Sequence, residues 1–198
     1  MTEQPTLHTR PRLRNRGFIH EIVYTVVFLV AAFTFLEMAI PRSIVQSISM
    51  QPNLIEDQRL VISRLTYLIS DPQRGDITVF LPPNHPTGEP PLIKRLIGLP
   101  GETVEFRDTA VYINGVRLDE PYLNEPCDTI HCGERVWVLG PDEYFLMGDN
   151  RNHSRDSRSF GPVQRERIIG RAIIRYWPPP DWGILSYSYD DSPGQPAP

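Results

Sequence analysis

Lysine is nearly missing from this chain. Of 20 basic residues among 198, 19 are arginine and one is lysine, Lys94. Arginine cannot act as a base at ordinary pH, so a search for an amine base has one candidate. Cysteine is scarce as well, with two residues, Cys127 and Cys132. No HExxH, no CxxC pair and no glycine-rich phosphate loop occurs, so neither metal nor nucleotide chemistry has support. Basic excess is absent: the net charge is −4 and the pI about 5.7, which excludes a nucleic-acid binder on charge. Beyond one apolar run, no stretch carries the pattern of a long helix. Proline, at 21 residues, argues against a helical bundle, because it breaks helix interiors and is tolerated in turns and at strand edges.

The apolar run is Ile22 to Ile40, with one charge, Glu37, near its far end. At 1.5 Å per residue it reaches about 28 Å, close to the ~30 Å hydrocarbon thickness. It is apolar on every side rather than striped, which disfavours a buried core helix. No small-x-small site follows it cleanly, which disfavours a cleaved leader. A retained anchor in a lipid bilayer is expected. Arg10, Arg12, Arg14 and Arg16 precede it and Arg42 alone follows closely, so the N-terminus is expected in the cytoplasm and the remainder on the exported side. The expected division is a basic N-terminus over 1–21, an anchor over 22–40, a catalytic domain over 41–180 and a frayed tail over 181–198.

The exported part reads as mainly β. Short β-branched and aromatic runs recur between Pro and Gly: 59–63, 76–80, 92–97, 103–106, 135–139, 144–147 and 168–177. Asn114-Gly115 between Val111–Ile113 and Val116–Leu118 predicts a type I′ hairpin. The stretches 82–91 and 119–133 read as exposed loops, and residues 103–140 as a smaller inserted β subdomain. Cys127 and Cys132 sit in such a loop. In an exported domain they read as a short disulfide, with two free thiols, or a metal site sharing His131, as the alternatives.

Three clusters can carry chemistry. If 47–52 is extended, Ser47 and Ser49 point the same way, and two hydroxyls on one face could serve one as nucleophile and the other as oxyanion donor; a polar turn is the plainer reading. Lys94, on a strand, shares a face with Leu92 and Leu96 while Arg95 points away. Stripped of water there, its pKa would fall from about 10.4 and make it a competent base. A snorkelling surface lysine is the rival. The segment 148–161, dense in Gly and polar groups, could hold the residues that orient the base. His153, Asp156 and a serine are a competing Ser-His-Asp scheme.

Together these elements resemble the bacterial type I signal (leader) peptidases, including the thylakoidal processing peptidases. The resemblance runs from the anchor to about residue 175 through four ordered boxes: SISMQPNL (47–54), RGDITVF (74–80), LIKRLIGLPGE (92–102) and GDNRNHSRDSR (148–158). It implies an N-terminal transmembrane helix and an antiparallel-sheet catalytic domain. It implies a serine endopeptidase that needs no cofactor and no metal. The expected partners are preprotein signal peptides, cut after small residues of the Ala-x-Ala kind, and the plasma or thylakoid membrane.

Roles follow position by position from the resemblance. Ser49 is implied as nucleophile and Lys94 as general base. Ser47 is implied as oxyanion donor, and Ser154 as the hydroxyl that hydrogen-bonds and orients Lys94. Asp149, Arg95, Asp156 and Arg158 match supporting positions. Met50, Ile93, Val45 and Gln46 match positions bordering the substrate cleft. Gln46, Asn53 and His153 depart from the boxes. A substrate strand is expected beside the strands of Ser49 and Lys94. The rival functions are a self-cleaving protease of the SOS-repressor type and a membrane-tethered β domain that binds without catalysis.

Overall fold

The computed structural model describes residues 16–185. The expectations for the basic N-terminus and the tail therefore fall outside the described residues, except at 16–21 and 181–185. The chain divides into two compact units at Met38/Ala39. The first holds α1 (Arg16–Ala39) except its last residue, and Phe18–Ala39 is long and apolar enough to cross a membrane, with mean hydropathy 2.1. Its two threonine hydroxyls are satisfied within the helix, Thr25 donating to the Glu21 carbonyl and Thr34 to that of Val30 (2.8 Å each). Neither threonine hydroxyl is therefore left for lipid to satisfy. The helix already includes residues 16–21, ahead of the apolar run.

The second unit is an antiparallel β domain. Its elements run β1 (Arg42–Ile44), β2 (Arg59–Ser63), α2 (Thr66–Ile69), β3 (Ile77–Phe80), β4 (Leu92–Gly98), β5 (Thr103–Arg107), β6 (Ala110–Ile113), β7 (Val116–Arg117), β8 (Arg135–Val138), β9 (Glu143–Met147), α3 (Ser157–Phe160), β10 (Val163–Gln164), β11 (Ile168–Trp177) and β12 (Gly183–Ile184). The large sheet has the order β1-β2-β11-β3-β4-β9-β10, with β12 on β11; the small sheet is β7-β6-β5-β8. At the β6–β7 turn both Asn114 (φ 52°) and Gly115 (φ 82°) are left-handed, as a type I′ hairpin demands.

Alternation along β4 and β9 sends side chains into separate cores. Leu96, Tyr144 and Leu146 join Tyr67, Phe80 and Val163. Ile97, Phe145 and Met147 join the small sheet's Val104 and Phe106 and the two cysteines. A third core holds Val45, Met50, Leu54, Leu60 and Ala172, with Ile93 packed against it. With both faces covered, β4 reads as a continuous apolar run, and Lys94 and Arg95 are each buried on their own side of it.

Candidate active site

The serine-bearing segment is a turn, not a strand. Val45 exchanges backbone bonds with Gln58 and Asp57, but past it no strand lies alongside, because the chain between Ile55 and Gln58 turns back to start β2. Ser47 is extended (φ −150°, ψ 157°), and Ile48–Met50 then closes one 3-10 turn. Met50 and Leu54, both fully buried, pin that turn to the core. Of the two readings of 47–52 the turn therefore holds past Ser47, and Ser49 does not lie on a strand. The two hydroxyls still meet, at 3.0 Å between Ser47 Oγ and Ser49 Oγ. Ser49 is buried and Ser47 exposed.

Lys94 reaches the same hydroxyl from β4. It is 3% exposed, registered opposite Thr78 of β3. Nζ lies 2.6 Å from Ser49 Oγ and 3.1 Å from the Ile93 carbonyl. Burial pushes its pKa down from 10.5 to about 8, against the opposing pull of Asp156 and Asp149. At that value about half the molecules carry a neutral amine at pH 8. A neutral amine at hydrogen-bond distance from a hydroxyl can take its proton.

The segment after β9 closes over both groups. Asn150 N–H donates to the Ser49 carbonyl (3.0 Å). Gly148 makes the approach possible, because a Cβ there would run into both the Ser154 hydroxyl and the Ser49 carbonyl. The hydrogen bond expected from Ser154 to Lys94 is not formed. Ser154 leaves the 3-10 turn Arg151–His153 extended, its buried Oγ lies against the Gly148 backbone and helps hold the Asp156 carboxyl down, and Lys94 is already bonded to Ser49 and Ile93. The Ser-His-Asp scheme is not assembled either. His153 is exposed and contacts Asn150 Oδ1 (3.3 Å), and Asp156 is taken by Arg158.

Three buried ion pairs hold this segment, one of them Arg151 to Glu120. Asp149, 0% exposed at its side chain, accepts from Arg95 Nε (2.8 Å) and NH2 (2.7 Å). Asn53, a departure from the resemblance, donates to Asp149 Oδ2 (2.8 Å) and to the Tyr122 carbonyl (2.9 Å). Asp156 accepts from Gly148 N–H (3.0 Å), Arg158 Nε (2.9 Å) and Arg158 NH2 (2.8 Å). Burial raises the Asp156 carboxyl, but the bonds and charge of Arg158 outweigh it and hold the group below its usual range. Arg158 NH1 also reaches Cys127 Sγ (3.4 Å) and Cys132 Sγ (3.3 Å). Those cysteines form a disulfide, which removes the free-thiol and metal alternatives.

Ser49 and Lys94 share a cavity of about 240 Å³ with Ser47, Leu92, His153, Arg155 and the proline-rich connection, including Pro82, His85 and Glu89. Met50, Val45 and Ile93 are brought together in the neighbouring core, and Gln46 is exposed; none of the four lines this cavity. Arg155, His85 and Glu89 were not expected at the site. Pairing residue 80 with residue 92 as a hairpin would have placed their loop next to Lys94.

The family model described as signal peptidase, peptidase S26, matches residues 17–177. The chain belongs to that family. Curated relatives agree. A probable signal peptidase I-2 of Synechocystis is 38% identical over 83% of this chain and 74% of its own length. A signal peptidase I of Leptolyngbya laminosa is 40% identical over 81% of this chain and 78% of its own. A crystal structure of a signal peptidase I from Enterococcus faecalis matches with TM-score 0.45 at 39% identity, over 52% of this chain and 97% of that one. Membership makes the chain an enzyme, a peptidase of the signal peptidase I type.

Proposed function

We propose that this signal peptidase is a membrane-anchored serine endopeptidase that removes signal peptides after small residues by a Ser49/Lys94 dyad. The observation that carries the reading is the buried 2.6 Å contact between Lys94 Nζ and Ser49 Oγ. In the neutral state Lys94 accepts the Ser49 proton and Ser49 attacks the scissile carbonyl. The Ser47 hydroxyl, 3.0 Å from the attacking oxygen, turns to the oxyanion together with the Ser49 N–H. Protonated Lys94 then hands its proton to the leaving amine, and again acts as base when water opens the acyl-enzyme. Once acylated, the Ser49 oxygen is a poorer acceptor, and the buried hydroxyl of Ser154 then takes over holding Lys94.

The small residue before the cut is received in the cavity beside Ser49, with Met50, Val45 and Ile93 packed in the core behind it and Gln46 exposed nearby. The substrate lies extended along β4. That strand pairs with β3 through Leu92–Arg95 and with β9 only through Arg95–Gly98, so on the β9 side Leu92–Lys94 has no strand partner among the described residues. Residues 22–40 anchor the chain in the plasma or thylakoid membrane with the N-terminus cytoplasmic and the catalytic domain, 41–180, on the exported side. The arginine imbalance around the anchor supports that orientation.

Full-length protein in detergent, given a preprotein substrate, tests the dyad. Ser49→Ala and Lys94→Ala are expected to abolish cleavage, and His153→Ala to retain it. Cleavage that survives Lys94→Ala but not His153→Ala would replace the amine base with histidine.

A further inference from the structure

The cavity that holds Ser49 and Lys94 carries a guanidinium that the chemistry leaves unused. Arg155 lines it, is exposed, and has no hydrogen-bond, ion-pair or ring partner among the described residues. Other arginines near the site are committed: Arg95 to Asp149, Arg151 to Glu120 and Arg158 to Asp156. Across the cavity the proline-rich connection presents Glu89, also exposed, which forms no ion pair with Arg155. Arg155 therefore borders the space a substrate must enter and keeps its full hydrogen-bonding capacity open. A guanidinium fork matches a carboxylate, which takes two parallel hydrogen bonds from it.

We propose that Arg155 is a specificity-determining residue that pairs with an acidic side chain of the preprotein close to the cut, so that this enzyme favours junctions carrying Asp or Glu there. This rests on the peptidase reading above. An extended peptide advances about 3.3 Å per residue, so a cavity of this size spans only a few residues around the scissile bond. Arg155 and the substrate acid meet at an exposed site, so the preference should reach about fivefold at low salt and shrink as salt screens it.

The test uses the full chain in neutral detergent and a set of peptides spanning a signal-peptide junction. Asp, Asn or Lys is placed at each position from four before to three after the cut, the two small-residue positions excepted, and kcat/KM is compared. Wild type should favour Asp over Asn about fivefold at one position at about 20 mM salt, with the ratio falling toward one at about 500 mM. Arg155→Glu should invert the preference at that position toward Lys, and Arg155→Gln should erase it; the latter carries the test should the charge reversal fail to fold. Identical Asp/Asn ratios in wild type and variants, or a ratio that ignores salt, would overturn the proposal. Wild type that cuts every peptide at one rate defeats this inference alone. Wild type that cuts none defeats the peptidase reading, and this inference with it.

Discussion

Arg95 and Asp149 meet through two hydrogen bonds on the face of β4 opposite the one that presents Lys94. Adjacent residues of one strand thus serve two functions, one amine aimed at Ser49 and one guanidinium that fixes the segment covering Ser49. Asp149 is followed by Asn150, whose N–H holds the Ser49 carbonyl, so the ion pair reaches the nucleophile through one peptide unit.

Arg95→Met is expected to destabilise the domain by about 3–5 kcal/mol, because it strands a fully buried carboxylate. Urea unfolding measures this. The double variant Arg95→Met/Asp149→Leu should recover part of the loss, since it removes the charge along with its partner. A double variant no more stable than Arg95→Met would mean the pair does not act as a unit.

Catalysis should follow the protonation of Lys94. Its folded pKa is lowered to about 8, and the neutral form is the active one, so kcat/KM should rise through about pH 8 to a plateau above it. Stability has the same sign. The unfolded chain binds the proton more tightly, so burying the ammonium weighs against folding below pH 8, and that penalty fades as pH climbs from about 8 to 10.5. Lys94→Met should therefore be more stable than wild type at pH 7, by up to about 3 kcal/mol, and lose that advantage near pH 10.5. Thermal melts across that range measure it, and an advantage that does not vary with pH would place the amine in water.

Much of this site is readable one residue at a time. A lone lysine in an apolar run stood out against 19 arginines, and a Ser-x-Ser spacing brought two hydroxyls together although the chain turns there instead of running straight. What could not be read are contacts between distant segments. Asn53 reaching Asp149 and the glycine gap at Gly148 depend on where the turn after β1 meets the turn after β9, and no local pattern encodes that meeting. The cavity wall supplied by residues 82–91 was hidden for a related reason, because its prolines announce a loop but not the face it covers.

Gly148→Ala should damage catalysis more than stability. The new methyl meets the Ser49 carbonyl, which is backbone and cannot swing aside, so the nucleophile itself must move. Overpacking of this kind costs about 1–3 kcal/mol, and kcat should fall at least about tenfold because the displacement lands on Ser49. Gly98→Ala is the control. Its methyl meets Val104, Leu139 and Phe145 in the core beneath the small sheet, so it should lower Tm while the folded fraction keeps its kcat. Equal catalytic loss in both variants would remove the special role of Gly148.

Reducing the disulfide should loosen the domain modestly. Cys127 and Cys132 are five residues apart, and closing so short a loop stabilises by about 2 kcal/mol on chain-entropy grounds. For a domain of this size that corresponds to a Tm lower by about 4–8 °C. The Cys127→Ala/Cys132→Ala variant should show the same drop. Well below its Tm it should still cleave substrate, because Arg158 keeps both of its guanidinium bonds to Asp156, and Asp156 still receives the Gly148 N–H, without the sulfurs. Thermal melts paired with cleavage assays at low temperature separate the two effects. An inactive variant with a wild-type melting curve would mean that the sulfurs position Arg158 for catalysis and do not merely tie the loop.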